Sequence, residues 1–188
     1  MSPLSASAEG RIFAVVGPSG AGKDTLMEAA RAARPEIHLV RRVVTRAAAT
    51  GEDHRPVTED TFRQLRADGA FSLSWSAHGL SYGIPREATE RAGRGEVVLF
   101  NGSRAMLEAA AAAFPGLRVL HVTAREEVLR ERLTARGRES NAQIEGRLAR
   151  ADLPLPQGLD VTTIDNSGAL EASVAQLLAA LDLKETTP

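Results

Sequence analysis

Apolar and polar positions change period several times along the chain, and each change marks an element. Residues 11–16 (RIFAVV) form a short apolar run ending at a glycine-rich turn, the pattern of a buried strand. Helix formers follow over 23–33, with Leu26, Ala29 and Ala30 on one face, and Pro35 stops them. Residues 39–44 read as a second strand, interrupted by Arg41 and Arg42, and the polar stretch 46–57 reads as a loop. Thr58 is placed to cap a helix carrying Phe62 and Leu65, which Gly69 ends. Residues 71–77 and 80–84 are two short strands turning at His78-Gly79, and Pro85 begins a helix that ends near Gly93. A buried strand follows at 96–100, then an alanine-rich helix opened by Ser103 and ending near Pro115, then a strand at 117–122. Thr123 and Glu126 read as a capping box for a helix that runs to about Arg136 and breaks at Gly137. A second helix spans about 141–151, the last strand 161–164, and the last helix about 170–181.

Strands alternate with helices at both ends of the chain, which predicts an α/β fold with a parallel sheet flanked by helices. The hairpin-like segment 71–84 breaks the alternation as an insert. A length of 188 residues suits one domain and a core that needs no disulfide or metal staple. Formal net charge is −1, so neither nucleic acid nor a membrane surface is an expected partner. The absence of cysteine excludes disulfides, thiol catalysis and cysteine-based zinc sites. The four histidines (His38, His54, His78, His121) show no metal-ligand spacing. Residues 1–10 lack the basic and apolar runs of a secretory signal, and no apolar run is long enough to span a membrane, so a cytoplasmic protein is expected.

The chemistry sits in Gly17-Pro18-Ser19-Gly20-Ala21-Gly22-Lys23, which fits G-x-x-x-x-G-K between a strand and a helix. Glycines there let successive backbone N–H groups wrap an anion, and the helix presents its positive end to the same charge. Lys23 then reaches the β/γ-phosphates of a nucleoside triphosphate. A glycine-rich turn without a ligand is the structural alternative. Where Ser or Thr normally offers magnesium a hydroxyl, this chain has Asp24, with Thr25 one residue out of register. Asp24 is a candidate magnesium ligand, direct or through water, and a helix-capping role is the alternative.

Two arginine clusters narrow the reaction. Arg132, Arg136, Arg138, Arg147 and Arg150 crowd two helices around Gly137, which suits a lid closing over a triphosphate and excluding water. Arg41, Arg42, Thr45 and Arg46 follow the first βα unit and suit a phosphorylated acceptor. A phosphate acceptor oxygen needs no strong general base, so positioning and charge neutralisation carry such a transfer. Trp75 reads as core or as a wall of the acceptor pocket, and His54 as a loop residue near the acceptor. His78 is divided between a structural role in its turn and a ligand contact. Arg104 is divided between an acceptor phosphate and solvent, and His121 reads as a strand residue without chemistry.

The segments GPSGAGKDTL, VTR with Gly51-Glu52, HGLSYGIP and LRERLTARGRES resemble the guanylate kinase-like P-loop fold over nearly the whole chain. Gly22-Lys23-Asp24, Leu73-Ser74-Trp75 with Ala77-His78-Gly79-Leu80, and Asn101-Gly102-Ser103-Arg104 are similar to the ribose 1,5-bisphosphate phosphokinases within it. That resemblance implies phosphorylation of the 1-phosphate of ribose 1,5-bisphosphate by ATP with magnesium, a reaction associated with phosphonate degradation. It implies Arg136 and Arg147 at the ATP phosphates, with Arg132 on the same helix stripe, and Asn166 near the adenine. It implies Arg42, Thr45, Arg46 and Tyr82 at the acceptor, with His54, His78, Asn101 and Arg104 as further candidates. The division expected is a flexible start (1–10), one kinase domain (11–183) with an acceptor insert at about 41–84 and a lid at about 132–150, and a tail (184–188). Guanylate kinases carry a second acceptor arginine where this chain has Ala49, a guanine-pairing Glu where it has Leu73, and an acidic pair near Phe100-Asn101. Their loss disfavours GMP, because a site built on such hydrogen bonds discriminates steeply. A nucleoside monophosphate kinase and a non-catalytic interaction module are the competing readings, and a homodimer is left open.

Overall fold

The computed structural model describes residues 11–47, 53–77, 79–137, 140–151 and 154–181. Along the chain lie β1 (Arg11–Val16), α1 (Lys23–Ala33), β2 (His38–Leu39), β3 (Arg42–Val44), β4 (His54–Pro56), α2 (Glu59–Ala67), β5 (Phe71–Ala77), β6 (Leu80–Pro85) and α3 (Arg86–Gly93). They are followed by β7 (Val97–Asn101), a 3₁₀ turn (Arg104–Met106), α4 (Leu107–Ala113), β8 (Arg118–Thr123), α5 (Glu126–Arg136), α6 (Asn141–Leu148), β9 (Asp160–Asp165) and α7 (Leu170–Ala180).

Five strands form a parallel sheet of order β2-β7-β1-β8-β9. β1 lies at its centre, and its unbroken apolar run is explained by burial on both faces. Ile12, Ala14 and Val16 face a core shared with α3 and α4, while Phe13 and Val15 face the core under α1, α5, α6 and α7. This alternation is the period of two that a strand imposes. Phe13 and Phe100 are fully buried in the two cores, so truncating either to alanine is expected to cost ~3–5 kcal/mol.

A second sheet of order β4-β3-β6-β5 stands beside the first. β3 pairs with β4 in parallel and with β6 antiparallel, and β5–β6 is the hairpin read from the sequence. Its turn residue His78 lies outside the described residues; Gly79 follows with φ +74°. Gly83 of β6 lies under the Phe71 ring, where a Cβ would fall 2.6 Å from a ring carbon.

Four local expectations are corrected. The single strand at 39–44 divides: β2 pairs with β7, Val40 still donates to the Leu99 carbonyl, and from Arg42 the chain pairs in the other sheet. The two arginines mark where the chain changes sheets. The polar 46–57 stretch contains β4, which buries only His54 and so carries no apolar signature. Ser103 opens a 3₁₀ turn, and the α-helix begins only at Leu107. Thr123 does not cap α5: it is the last residue of β8, and its Oγ1 donates to the Ile164 carbonyl. The α5 N-cap is Arg125, whose N–H donates to Ser167 Oγ at 2.8 Å. A true capping box, Ser140 with Gln143, opens α6 instead. Among the described residues, no helix is long and apolar enough to cross a membrane.

Candidate active site

The loop between β1 and α1 is shaped by close approach. A Cβ on Gly17 would lie 2.0 Å from the Val122 carbonyl oxygen of β8, so only glycine fits. Gly22 caps α1 with φ 82°, and a Cβ there would lie 2.7 Å from Asn166 Nδ2. Asn166, buried just beyond β9, donates from Nδ2 to the Ala21 carbonyl at 2.8 Å. Arg132 of α5 donates to the Asn166 carbonyl at 2.9 Å and lies 3.4 Å from the Ala21 carbonyl. The loop is therefore braced by two residues more than a hundred positions away.

Lys23 Nζ donates to the Gly17 and Pro18 carbonyls, each at 3.0 Å, so the ammonium lies over the loop. Burial lowers its pKa to about 8; Asp24 opposes this, while Arg42, Arg136 and Arg104 reinforce it. From α6, Arg147 Nη1 donates to Ser19 Oγ at 2.6 Å. Arg130 pairs with Glu126 of its own helix at 2.9 Å and ties α5 to α6 by pairing with Glu145. Arg136, the last residue of α5, is exposed, and its charge is among those that lower the Lys23 pKa. Arg104 donates to the Ala151 carbonyl at 2.7 Å and to that of Arg150, and so holds the end of α6.

Beside the loop lies a cavity of about 340 Å³, lined by Asp24, Asn101, Arg42 and Asp53 over Leu39 and Val40. Asn101 Nδ2 donates to Asp24 Oδ1 at 2.6 Å, fixing the carboxylate at the start of α1. Burial lowers the Arg42 pKa from its usual value while Asp24 and Tyr82 oppose this, and the guanidinium remains a cation. It lies over the Tyr82 ring, 5.8 Å from the centroid, and Tyr82 stacks on Trp75 at 5.2 Å with an interplanar angle of 9°. Thr45 Oγ1 accepts the Ser81 N–H at 2.8 Å, and the Thr45 N–H donates to the Ser81 carbonyl at 3.1 Å. His54 is buried, with Nε2 3.1 Å from the Arg46 carbonyl, so it supports the backbone that carries the exposed Arg46.

The structure thus brings Asp24, Asn101 and Arg42 around one space, with the Lys23 ammonium over the adjoining loop and Arg147 reaching that loop from α6. Pro18 and Ala21 are buried within the loop, and Gly20 packs beside Leu133. Thr25 is exposed on the first turn of α1. Asn166, Arg132 and His54 act on backbone within the fold, and Arg104 holds α6. The sequence reading missed Asp53, which pairs with Arg41 at 2.8 Å on the cavity rim. It also missed the Ser19–Arg147 contact. Asp53 is one carboxylate in a polar stretch, and nothing in its spacing marks it. His121 lies in β8 as expected; burial, then the charges of Arg104 and Lys23, lower its pKa and keep the ring neutral at neutral pH. Its Nε2 and Ser103 Oγ are buried polar atoms without a hydrogen-bond partner among the described residues.

No protein-family model matches the chain. A curated relative from Rhizobium etli (strain CIAT 652), ribose 1,5-bisphosphate phosphokinase PhnN, is 47% identical over 184 residues, covering 96% of this chain and 93% of the relative. The PhnN of Ruegeria sp. (strain TM1040) is 50% identical over 176 residues, covering 93% of each chain. Among solved structures, guanylate kinase from Anaplasma phagocytophilum superposes with a TM-score of 0.68 over 95% of this chain and 87% of that one, at 19% identity. That likeness establishes the shared guanylate kinase-like fold. With half its residues shared across nearly its full length, the chain belongs to the PhnN ribose 1,5-bisphosphate phosphokinase family.

Proposed function

We propose that the chain transfers the γ-phosphoryl group of ATP to the 1-phosphate of ribose 1,5-bisphosphate, giving 5-phosphoribosyl 1-diphosphate and ADP. The observation that carries this reading is family membership combined with a phosphate cradle opening beside a cavity that holds Arg42. An oxygen of the acceptor 1-phosphate attacks the γ-phosphorus, the bond from that phosphorus to the β,γ-bridging oxygen breaks, and ADP leaves with that oxygen. The attacking oxygen is already anionic, so no side chain has to remove a proton.

The residues divide the work by position. Backbone N–H groups of 19–23 hold the β-phosphate, and Lys23 exchanges its loop carbonyls for β/γ oxygens. Arg136 and Arg147 neutralise charge on the moving phosphoryl from the α5–α6 side, which serves as the lid. Arg42 on β3 and Arg46 in the bend that follows it hold acceptor phosphate. Asp24 fits a magnesium site: it is one carboxylate beside the cradle, held in place by Asn101. Among the described residues no group of three His, Asp or Glu could hold a metal alone, which suits an ion that keeps waters and phosphate oxygens as ligands. Bound there, magnesium supplies charge neutralisation to the phosphates. Leu73, at the position where guanylate kinases carry the guanine-pairing Glu, is buried in the core, and this favours an acceptor without a base.

A coupled ADP-release assay with ribose 1,5-bisphosphate and GMP in parallel tests the reading. Turnover of the sugar bisphosphate well above that of GMP is expected. Turnover of GMP alone overturns the acceptor assignment, and absence of ADP with any acceptor favours an interaction module.

A further inference from the structure

We infer that Trp75 is a positioning residue for the acceptor: it holds Tyr82, and through Tyr82 the Arg42 guanidinium, at the wall of the acceptor cavity. The inference rests on the acceptor assignment above and explains how a pocket for a base-free sugar phosphate is built. Strand β6 lies between β3 and β5, with Tyr82 opposite Val44 on one side and Trp75 on the other. Arg42 is two residues from Val44 and so shares its face of the sheet. The Tyr82 ring therefore has Trp75 beside it from one strand and Arg42 beside it from the other. Near-parallel rings at 5.2 Å and a guanidinium 5.8 Å from the ring centroid form one continuous stack.

Only the arginine end of this stack lines the cavity; neither aromatic ring does. Two consequences follow. Among the described residues a nucleobase entering the cavity meets Asp24, Glu28, Arg42, Asp53 and Asn101 and no aromatic face to stack on. An acceptor phosphate meets a guanidinium whose rotamer freedom is already spent against Tyr82, so less is lost on binding. The far end of the stack is anchored, because Trp75 packs against the core cluster that contains Leu73 and Ile84.

Trp75 is the sole tryptophan of the chain, so its emission reports on the stack directly. The test titrates the full chain with ribose 1,5-bisphosphate and, separately, with ATP, and measures kinetics of Trp75→Leu and Trp75→Phe. The acceptor is expected to change Trp75 emission, whereas ATP alone is not. Trp75→Leu should raise KM for the acceptor about tenfold while KM for ATP and kcat stay within about twofold, and Trp75→Phe should recover most of the loss. An unchanged acceptor KM in Trp75→Leu, an equal rise in both KM values, or emission that follows ATP and ignores saturating acceptor each overturns the role. Should Trp75→Leu fail to fold, the wild-type emission and the Trp75→Phe kinetics still decide it. If the wild type turns over a different phosphorylated compound, the same titration with that compound judges Trp75 separately from the identity of the substrate.

Discussion

The two halves of the site, read above as donor and acceptor, are built in opposite ways. The donor half is a contiguous loop, 17–23, whose shape is set by glycines and whose braces are single side chains from afar: Asn166, Arg132 and Arg147. The acceptor half has no contiguous core. Asp24 starts α1, Asn101 ends β7, Arg42 sits on β3, and Asp53 just precedes β4. What makes it a site is the second sheet and the stack behind Arg42. A contiguous loop can stay constant while a dispersed pocket is re-equipped by single substitutions. Leu73 lies in the core and Asn101 against Asp24, in a fold shared with a guanylate kinase.

That contrast can be broken or sharpened by experiment. The largest effect is expected at Lys23: Lys23→Ala should lower kcat by about 10³-fold or more, with an unchanged melting temperature. Near-wild-type rates would remove the loop from the donor role. Next is the joint between the halves. Asn101→Leu leaves the Asp24 carboxylate unrestrained, so the magnesium concentration for half-maximal rate should rise about 10- to 100-fold. An unchanged magnesium dependence would assign Asp24 to helix capping.

A smaller effect tests the brace across α6. Arg147→Ala and Ser19→Ala should each lower kcat/KM for ATP, Arg147→Ala by about tenfold. The double variant should be no worse than Arg147→Ala alone, because the two side chains share one hydrogen bond. Additive losses would show that they act separately.

The smallest effect near neutral pH comes from Lys23 itself. Its pKa in the free protein is lowered to about 8, and phosphate contact favours its charged form, raising that value in the complex. Below pH 8 the ammonium is charged in both states and affinity for ATP is flat on its account. Above pH 8 binding must take up a proton, so Kd should rise, reaching about tenfold by one pH unit above that pKa. Calorimetry at pH 9 in two buffers of different ionisation enthalpy reads the proton uptake, and its absence would contradict the buried-ammonium account.

Legibility followed the same division. The loop was readable because its chemistry fixes residue types at fixed spacing: Gly17 must clear the Val122 carbonyl and Gly22 must clear Asn166. The central strand was readable because burial on both faces leaves only apolar residues. β4 was not, since one buried His54 and two exposed neighbours carry no periodicity. The Thr123–Glu126 spacing imitated a capping box because a strand end and a helix start happened to lie three residues apart; Ser167 supplied the acceptor from another segment. Arg104 shows the limit for side chains. Its position near the site was legible from its motif, but its partners, the Arg150 and Ala151 carbonyls in the turn after α6, come within reach only once the chain has folded. Asp53 and the Trp75–Tyr82–Arg42 stack are likewise products of strand pairing, which no local pattern announces.

The most direct measurement follows the phosphorus nuclei. Phosphorus NMR of the purified chain with ATP, magnesium and ribose 1,5-bisphosphate should show the 1-phosphate signal replaced by a coupled diphosphate pair, with one ADP formed for each sugar consumed. A 1-phosphate signal that persists while ATP and GMP are converted to ADP and GDP would contradict the account.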